Sequence, residues 1–271
     1  MPRIWDTLIF GTESDLDLLE CRLTELDDHA WRFVIAEAGI DHQGHAKPFW
    51  LKDNWERFSP WHDRIVWVDA TESMQAVPPP PERGTYWPLE TAHRDALRVA
   101  LNGVEPDDLV LHGDVDEIPK GELLAAGTVT GCQHHVYCIE WLCIGWTGTV
   151  CLRAADAPAS PRAMRNLMGS LPRVNEGGWH LSWFGGLDAN VRKLDTTVHA
   201  DIPDHVRRDV CSGRYQRGGW HWMGMGGVAS KGSVMKLKPY KGDDLPKWVL
   251  AGKEPASWHR DALRGLATSL A

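Results

Sequence analysis

Residues 108–119 read Asp-Leu-Val-Leu-His-Gly-Asp-Val-Asp-Glu-Ile-Pro, an apolar run that delivers three carboxylates to its end. Leu109, Val110 and Leu111 predict a buried strand, and Pro119 stops the pattern. Asp114, Asp116 and Glu117 repel one another at this spacing unless a cation sits among them. Mg²⁺ or Mn²⁺ takes oxygen ligands and typically joins protein carboxylates to substrate phosphates. A solvated acidic turn is the plain alternative for a bare Asp-x-Asp. The buried strand in front of it tips the balance, because open α/β sheets bind ligands at the carboxyl ends of their strands.

The rest of the chain repeats strand and helix in alternation. Ile4–Phe10, Trp31–Glu37 and Ile65–Asp69 read as strands, the second ending on an acid. Ser14 is placed to cap a helix whose apolar face is Leu16, Leu19, Leu23 and Leu26. Pro78–Pro81 is an extended connector, and Pro88 opens a helix with Leu89, Ala92, Ala96, Leu97 and Ala100 on one face, ended by Gly103. His135–Trp146 predicts one longer strand. The expectation is an α/β fold, a mostly parallel central sheet with helices on both faces. One domain is expected over residues 1–245, with a nucleotide-binding half (1–119) and an acceptor-side half (120–245). Residues 246–271 form a C-terminal tail, or a helix over Trp258–Leu270.

A formal net charge of −8 excludes a nucleic-acid binder, which needs a basic face. It also repels any phosphorylated substrate, and a bound divalent ion would reverse that field locally. No apolar run approaches ~20 residues, so no membrane span is expected. A strand pattern starts at once, leaving no room for a leader, and the cytoplasm is the expected compartment. Six Cys in such a chain read as reduced. Cys132, His134 and Cys138 share a strand face, which raises zinc, but ordinary buried cysteines are expected. Fifteen Trp against five Phe and four Tyr favour surfaces that stack on sugar rings, although most must be core.

Residues 177–186 and 218–227 both read Gly-Gly-Trp-His-x4-Gly-Gly. Glycines there would let the backbone approach a ligand while Trp and His project; tight turns around a buried Trp are the alternative. The acidic motif, the opening Ile4–Phe10 with Glu13, Asp17-Leu-Leu-Glu20 and Arg22-Leu-Thr-Glu-Leu26, Phe33-Val-Ile-Ala-Glu37 with Lys47-Pro48, Arg94, and Gly178-Trp179-His180 through Gly186 with Lys193-Leu194 and Val198-His199 follow one another in order. Together they resemble glycosyltransferase family 17, the family of the bisecting N-acetylglucosaminyltransferase. The resemblance implies a GT-A type fold, a nucleotide-sugar donor (UDP-N-acetylglucosamine), a divalent metal, inversion at the anomeric carbon and a glycan or glycoconjugate acceptor. The second Gly-Gly-Trp-His segment falls outside it.

On that reading Asp116 is the direct metal ligand and Asp114 reaches metal or ribose, while Glu117 caps the next helix or joins the ion. His180 or His199 would supply a further ligand. Arg94 would neutralise a phosphate, or pair with Glu90 four residues back. Glu13 would meet base or ribose, or serve the dipole of the first helix. Glu37 is grouped with the donor-binding residues. Trp179 and Trp183 are candidates to stack on a sugar. Inversion needs a carboxylate base; Glu140, Glu176 and Asp188 are in the right half, with Glu176 and Asp188 favoured. Two rivals are a non-catalytic carbohydrate-binding protein and a phosphatase of the haloacid dehalogenase type, which also sets Asp-x-Asp after a buried strand.

Overall fold

A computed structural model describes residues 2–79, 86–198, 220–223 and 233–260. Strands β1 (Ile4–Phe10), β2 (Ala30–Glu37), β3 (Ile65–Asp69) and β4 (Leu109–Asp114) pair in parallel in the order β3-β2-β1-β4. Side chains alternate across these strands and divide between two cores. Leu8, Phe10, Phe33, Ile35 and Leu111 enter the larger one, where α1 (Asp15–Glu25) lays Leu16, Leu19, Leu23 and Leu26. Trp5, Val34, Ala36 and Val68 enter the other, covered by α4 (Trp87–Asp95) through Leu89 and by Leu97 in the turn that follows it. Both faces of the parallel half are therefore dry, which is why these strands read as apolar runs.

Beyond β4 the sheet becomes mixed. Strand β5 (Glu117–Pro119) is antiparallel to β8 (Arg173–Ser182) at the far edge. Between them and β4 stand β6 (Thr128–Val136), parallel to β8, and β7 (Trp141–Arg153), antiparallel to both β4 and β6. The expected single strand over His135–Trp146 is thus two, broken at Tyr137, whose φ is 68°. Strands β9 (Trp220–Met223) and β10 (Ser233–Lys236) form a separate antiparallel pair, so part of the second Gly-Gly-Trp-His segment is a strand while the rest lies outside the described residues. Strand β11 (Lys238–Pro239) adds to β7 and completes a nine-stranded sheet.

Two local details differ from expectation. Ser14 makes no side-chain cap bond; Asp15 turns back instead and accepts from the N–H groups of Gly11 and Thr12 at 3.0 and 2.8 Å. The described part of the C-terminal segment packs into the core and is more than a tail. A helix over Lys247–Leu250 and a turn at Ala256–Trp258 bury Trp248 and Trp258 in the larger core, and His259 bridges Glu140 and Glu254. Residues 261–271 lie outside the described set. Among the described residues no helix is long and apolar enough to cross a membrane.

Asp108 ties the start of β4 to β1. Its carboxylate accepts from Arg3 Nη2 at 2.7 Å, from the Arg3 backbone N–H at 2.9 Å and from Trp5 Nε1 at 3.0 Å. Burial pushes this carboxyl up, but the Arg3 and backbone donors outweigh it and hold it well below the usual range. A depressed carboxyl stabilises the fold above its unfolded value of about 3.9 and loses that contribution as pH falls below it. Asp108→Asn is therefore expected to lower the melting temperature at pH 7. Its deficit against wild type should shrink as pH drops below about 4, which melts recorded by circular dichroism across pH 2–7 will show.

Candidate active site

A cavity of about 620 Å³ opens at the carboxyl ends of β1, β2 and β4. Its walls come from the β1–α1 turn, the loop after β2, α4, the acidic turn after β4, α5 (Pro161–Arg165), the end of β8 and α6 (Gly186–Thr196). Five basic side chains line it, Lys47, Arg94, Arg162, Arg165 and Lys193, in a protein whose net charge is −8. Six carboxylates, Asp15, Asp41, Glu90, Asp114, Asp116 and Glu117, line it too, and Arg94, Arg162, Arg165 and Lys193 are ion-paired with them, so the wall is close to balanced in charge.

The acid cluster is built outward from His112. Thr7 Oγ1 donates to the Leu111 carbonyl, so His112 Nδ1 donates to Thr7 Oγ1 at 3.0 Å and its bare Nε2 faces Arg94 Nη1 at 3.3 Å. Burial and two neighbouring arginines keep this ring neutral, its pKa well below the ordinary value. Glu90 accepts from Arg94 Nε at 2.7 Å, and Arg94 Nη2 donates to Asp114. Arg165 meets Asp114 from the other side at 2.9 Å and grips Glu117 through both of its terminal nitrogens. Burial raises the Asp114 carboxyl, but Arg165 and Arg94 more than reverse this and it stays ionised far below the usual range. Asp116 stands apart from the arginines. Its Oδ2 lies 3.4 Å from Lys193 Nζ and 3.5 Å from His180 Nε2, which together outweigh burial and bring its pKa down to about 2. Lys193 also sits over the Trp183 ring, 5.4 Å from its centroid.

The sequence profile of glycosyltransferase family 17 matches residues 1–212. The chain belongs to glycosyltransferase family 17. No curated protein matches it. Solved structures resemble it distantly. A mycobacterial protein is 14% identical over 93% of this chain and 89% of that one, with a TM-score of 0.34. An active-site mutant of LgtC is 11% identical over 98% and 95%, with a TM-score of 0.33. The galactosyltransferase LgtC in complex with donor and acceptor sugar analogs is 10% identical over 98% and 95%, with a TM-score of 0.29.

Of the residues singled out in the sequence of this family 17 enzyme, the cavity wall gathers Arg94, Asp114, Asp116, Glu117 and His180. Glu117 caps no helix. It lies in β5 with its carboxylate wholly enclosed by Arg165, the Trp146 indole N–H at 2.7 Å and the Asp114 backbone N–H at 3.1 Å. Glu37, in contrast, does not reach the cavity: it accepts from the Leu51 and Lys52 N–H groups and so caps α2 (Trp50–Asp53), which has no cap of its own at Phe49. Glu13 is half-exposed, 4.0 Å from Arg192, and does not line the cavity. Trp179 faces away from the cavity, 3% exposed in the larger core with its N–H on the Asp244 carbonyl. Trp183 is buried with Tyr137 and Leu194. Period two along β8 explains the split, since Trp179 and His180 must point to opposite faces.

Gly178 has a different task from the one expected, and Gly148 a similar one. A Cβ on Gly178 would stand 2.2 Å from the Ile118 carbonyl, and one on Gly148 2.6 Å from Glu117 Cδ. The close approach they permit is of backbone to backbone and backbone to Glu117, not of backbone to ligand. Glu176 is exposed outside the cavity, with a φ of 53°, and Asp188 is exposed in the first turn of α6. Glu140 is bound to His259 and to the Arg260 N–H. His199 lies outside the described residues. Arg162 and Arg165 belong to no motif in the sequence, although Pro161 at a helix start with arginines three apart places both on one face.

The donor set fits a divalent ion in part. Both oxygens of Asp114 are taken by arginines, so it is a poor first ligand. Asp116 and His180 meet at 3.5 Å on the cavity wall, and His180 Nδ1 is a buried atom without a hydrogen-bond partner. No group of three potential ligands stands among the described residues. Two protein ligands completed by phosphate oxygens and water is an ordinary arrangement for Mg²⁺, and imidazole suits Mn²⁺. Cys132 and Cys138 are buried free thiols, and burial pushes their pKa values up to about 12, as in an ordinary apolar core.

Proposed function

We propose that this glycosyltransferase moves N-acetylglucosamine from a UDP-sugar to a hydroxyl of a carbohydrate-containing acceptor, with inversion and with Mn²⁺ or Mg²⁺ bound. The observation that carries this reading is the meeting of Asp116, His180 and Lys193 on the wall of the cavity at the end of β4. As the sugar–oxygen bond breaks, negative charge gathers on the departing diphosphate, and fixed positive charge stabilises it most where water is excluded. Lys193 stands ready for this role: burial lowers its pKa, but Asp116 and Asp15 more than restore it, so it stays charged. Asp116 and His180 would hold the ion, which when bound acts as a Lewis acid on the diphosphate. Arg94 and Arg165 keep Asp114 ionised and the acidic turn in one conformation. Inversion also needs a proton acceptor opposite the leaving group. That group belongs to the cavity wall, where neither Glu176 nor Asp188 stands.

A thermal-shift screen of nucleotide sugars with and without Mn²⁺ tests donor, metal and class together. At a hundredfold excess over Kd, UDP-N-acetylglucosamine should raise the melting temperature by roughly 5–10 °C, and Mn²⁺ should enlarge the shift. No shift with any uridine nucleotide at millimolar concentration would refute the reading.

A further inference from the structure

The cavity has a second polar corner that the acid cluster does not use. His42, on the loop after β2, places Nε2 3.2 Å from Nδ1 of His93 on α4, and His93 Nε2 lies 2.9 Å from the Ala36 carbonyl oxygen. Both rings line the cavity. A carbonyl oxygen can only accept, so His93 carries a proton on Nε2. Burial keeps both rings neutral, with pKa values below the ordinary one and His93 well below it. A neutral imidazole has one N–H, so His93 Nδ1 is bare and accepts from His42 Nε2. That fixes the His42 tautomer in turn, and leaves Nδ1 as the unprotonated acceptor of a ring that lines the cavity.

The loop that carries His42 is held firmly. Asp41 Oδ1 accepts from the Gln43 and His45 N–H groups at 2.8 and 2.9 Å, Ile40 bridges to Ala46, and the Gln43 amide donates to the Thr197 carbonyl. Its place in the sheet matters as much. Asp116 follows β4, with β1 next and β2 beyond it, so two strand spacings of about 4.8 Å each separate the acid cluster from the end of β2. A nucleoside diphosphate anchored at Asp116 and laid across the strand ends brings its base to that end, beside His42.

We infer that His42 selects the nucleobase of the donor: its bare Nδ1 accepts the N3–H of uracil and is opposed by cytosine, whose N3 is itself an acceptor. His93 and the Ala36 carbonyl are positioning groups that hold the required tautomer. The inference rests on the UDP-sugar reading above and adds the residue that makes the donor a uridine nucleotide. A site built to receive an N–H rejects a ligand that lacks it, because the buried acceptor is then left unpaired.

Calorimetric titration of the wild-type chain with UDP, CDP and N3-methyl-UDP, each with Mn²⁺, tests it without any substitution. UDP should bind at least about tenfold more tightly than the other two. His42→Phe keeps a ring in place but removes the acceptor; it should bind UDP about tenfold more weakly and lose the preference. Equal binding of UDP and N3-methyl-UDP by the wild type, or an unchanged preference in a folded His42→Phe variant, would overturn the inference. Failure of the wild type to bind any nucleoside diphosphate would instead overturn the donor reading on which it rests.

Discussion

Asp116→Ala is expected to cut sugar transfer by about a hundred- to a thousandfold or more and to leave the fold in place. The size of the loss follows from what the carboxylate touches. Asp116 is 7% exposed, and its side chain meets Lys193, proposed for the departing diphosphate, and His180, proposed for the ion. Without it the proposed ion would lose its carboxylate ligand, and His180 alone would not hold a hard cation. The fold survives because Lys193 is 37% exposed in its side chain and can turn to water, so the severed pair contributes little. Parallel assays of transfer rate, of UDP affinity with and without Mn²⁺ and of melting temperature separate the two effects. Mn²⁺ should no longer strengthen UDP binding to the variant, whereas metal-free UDP binding and the melt should stay near wild type. A variant that kept full activity would remove the acid cluster from the mechanism.

Arg165→Ala is expected to be the most destabilising single change around the cavity, by about 3–5 kcal/mol in urea unfolding. Arg165 is 9% exposed and joins Glu117, 1% exposed, to Asp114. Its loss leaves one buried carboxylate with only neutral donors and the other with Arg94 alone. Arg165→Lys should recover only part of the loss, because an ammonium is a point charge and cannot span both carboxylates as the planar fork does. A paired Arg165→Met and Glu117→Gln variant should be more stable than Arg165→Ala, since it removes the orphaned charge as well as its partner. If Arg165→Ala unfolded at the wild-type urea concentration, the ion pair would be incidental to the acidic turn.

How far the sequence reveals this arrangement depends on the range of the forces involved. Strands β1 to β4 are legible as continuous apolar runs, and the inner face of α1 by its leucines three and four residues apart. Asp116 is legible because it ends an apolar run. What is hidden depends on partners distant in sequence. Arg165 lies 48 residues from Glu117, Glu37 caps a helix 14 residues on, and the tautomer of His42 is set by His93 51 residues away. The break at Tyr137 carries no glycine or proline to mark it. Trp179 misleads for a different reason. A tryptophan beside a histidine between glycines suggests a ligand loop, but the segment is a strand, and alternation sends the indole to the core while the imidazole reaches Asp116. The glycines follow from the same pairing, since Gly178 must let β8 meet the backbone of Ile118.

The most direct test of the central claim is a crystal of this enzyme grown with UDP and Mn²⁺, measured at a wavelength where manganese scatters anomalously. The account predicts a manganese peak bonded to a carboxylate oxygen of Asp116, with the UDP diphosphate on its open side and Lys193 beside it. UDP bound with its diphosphate away from Asp116, or manganese bound elsewhere while the acidic turn keeps only its arginines, would contradict it.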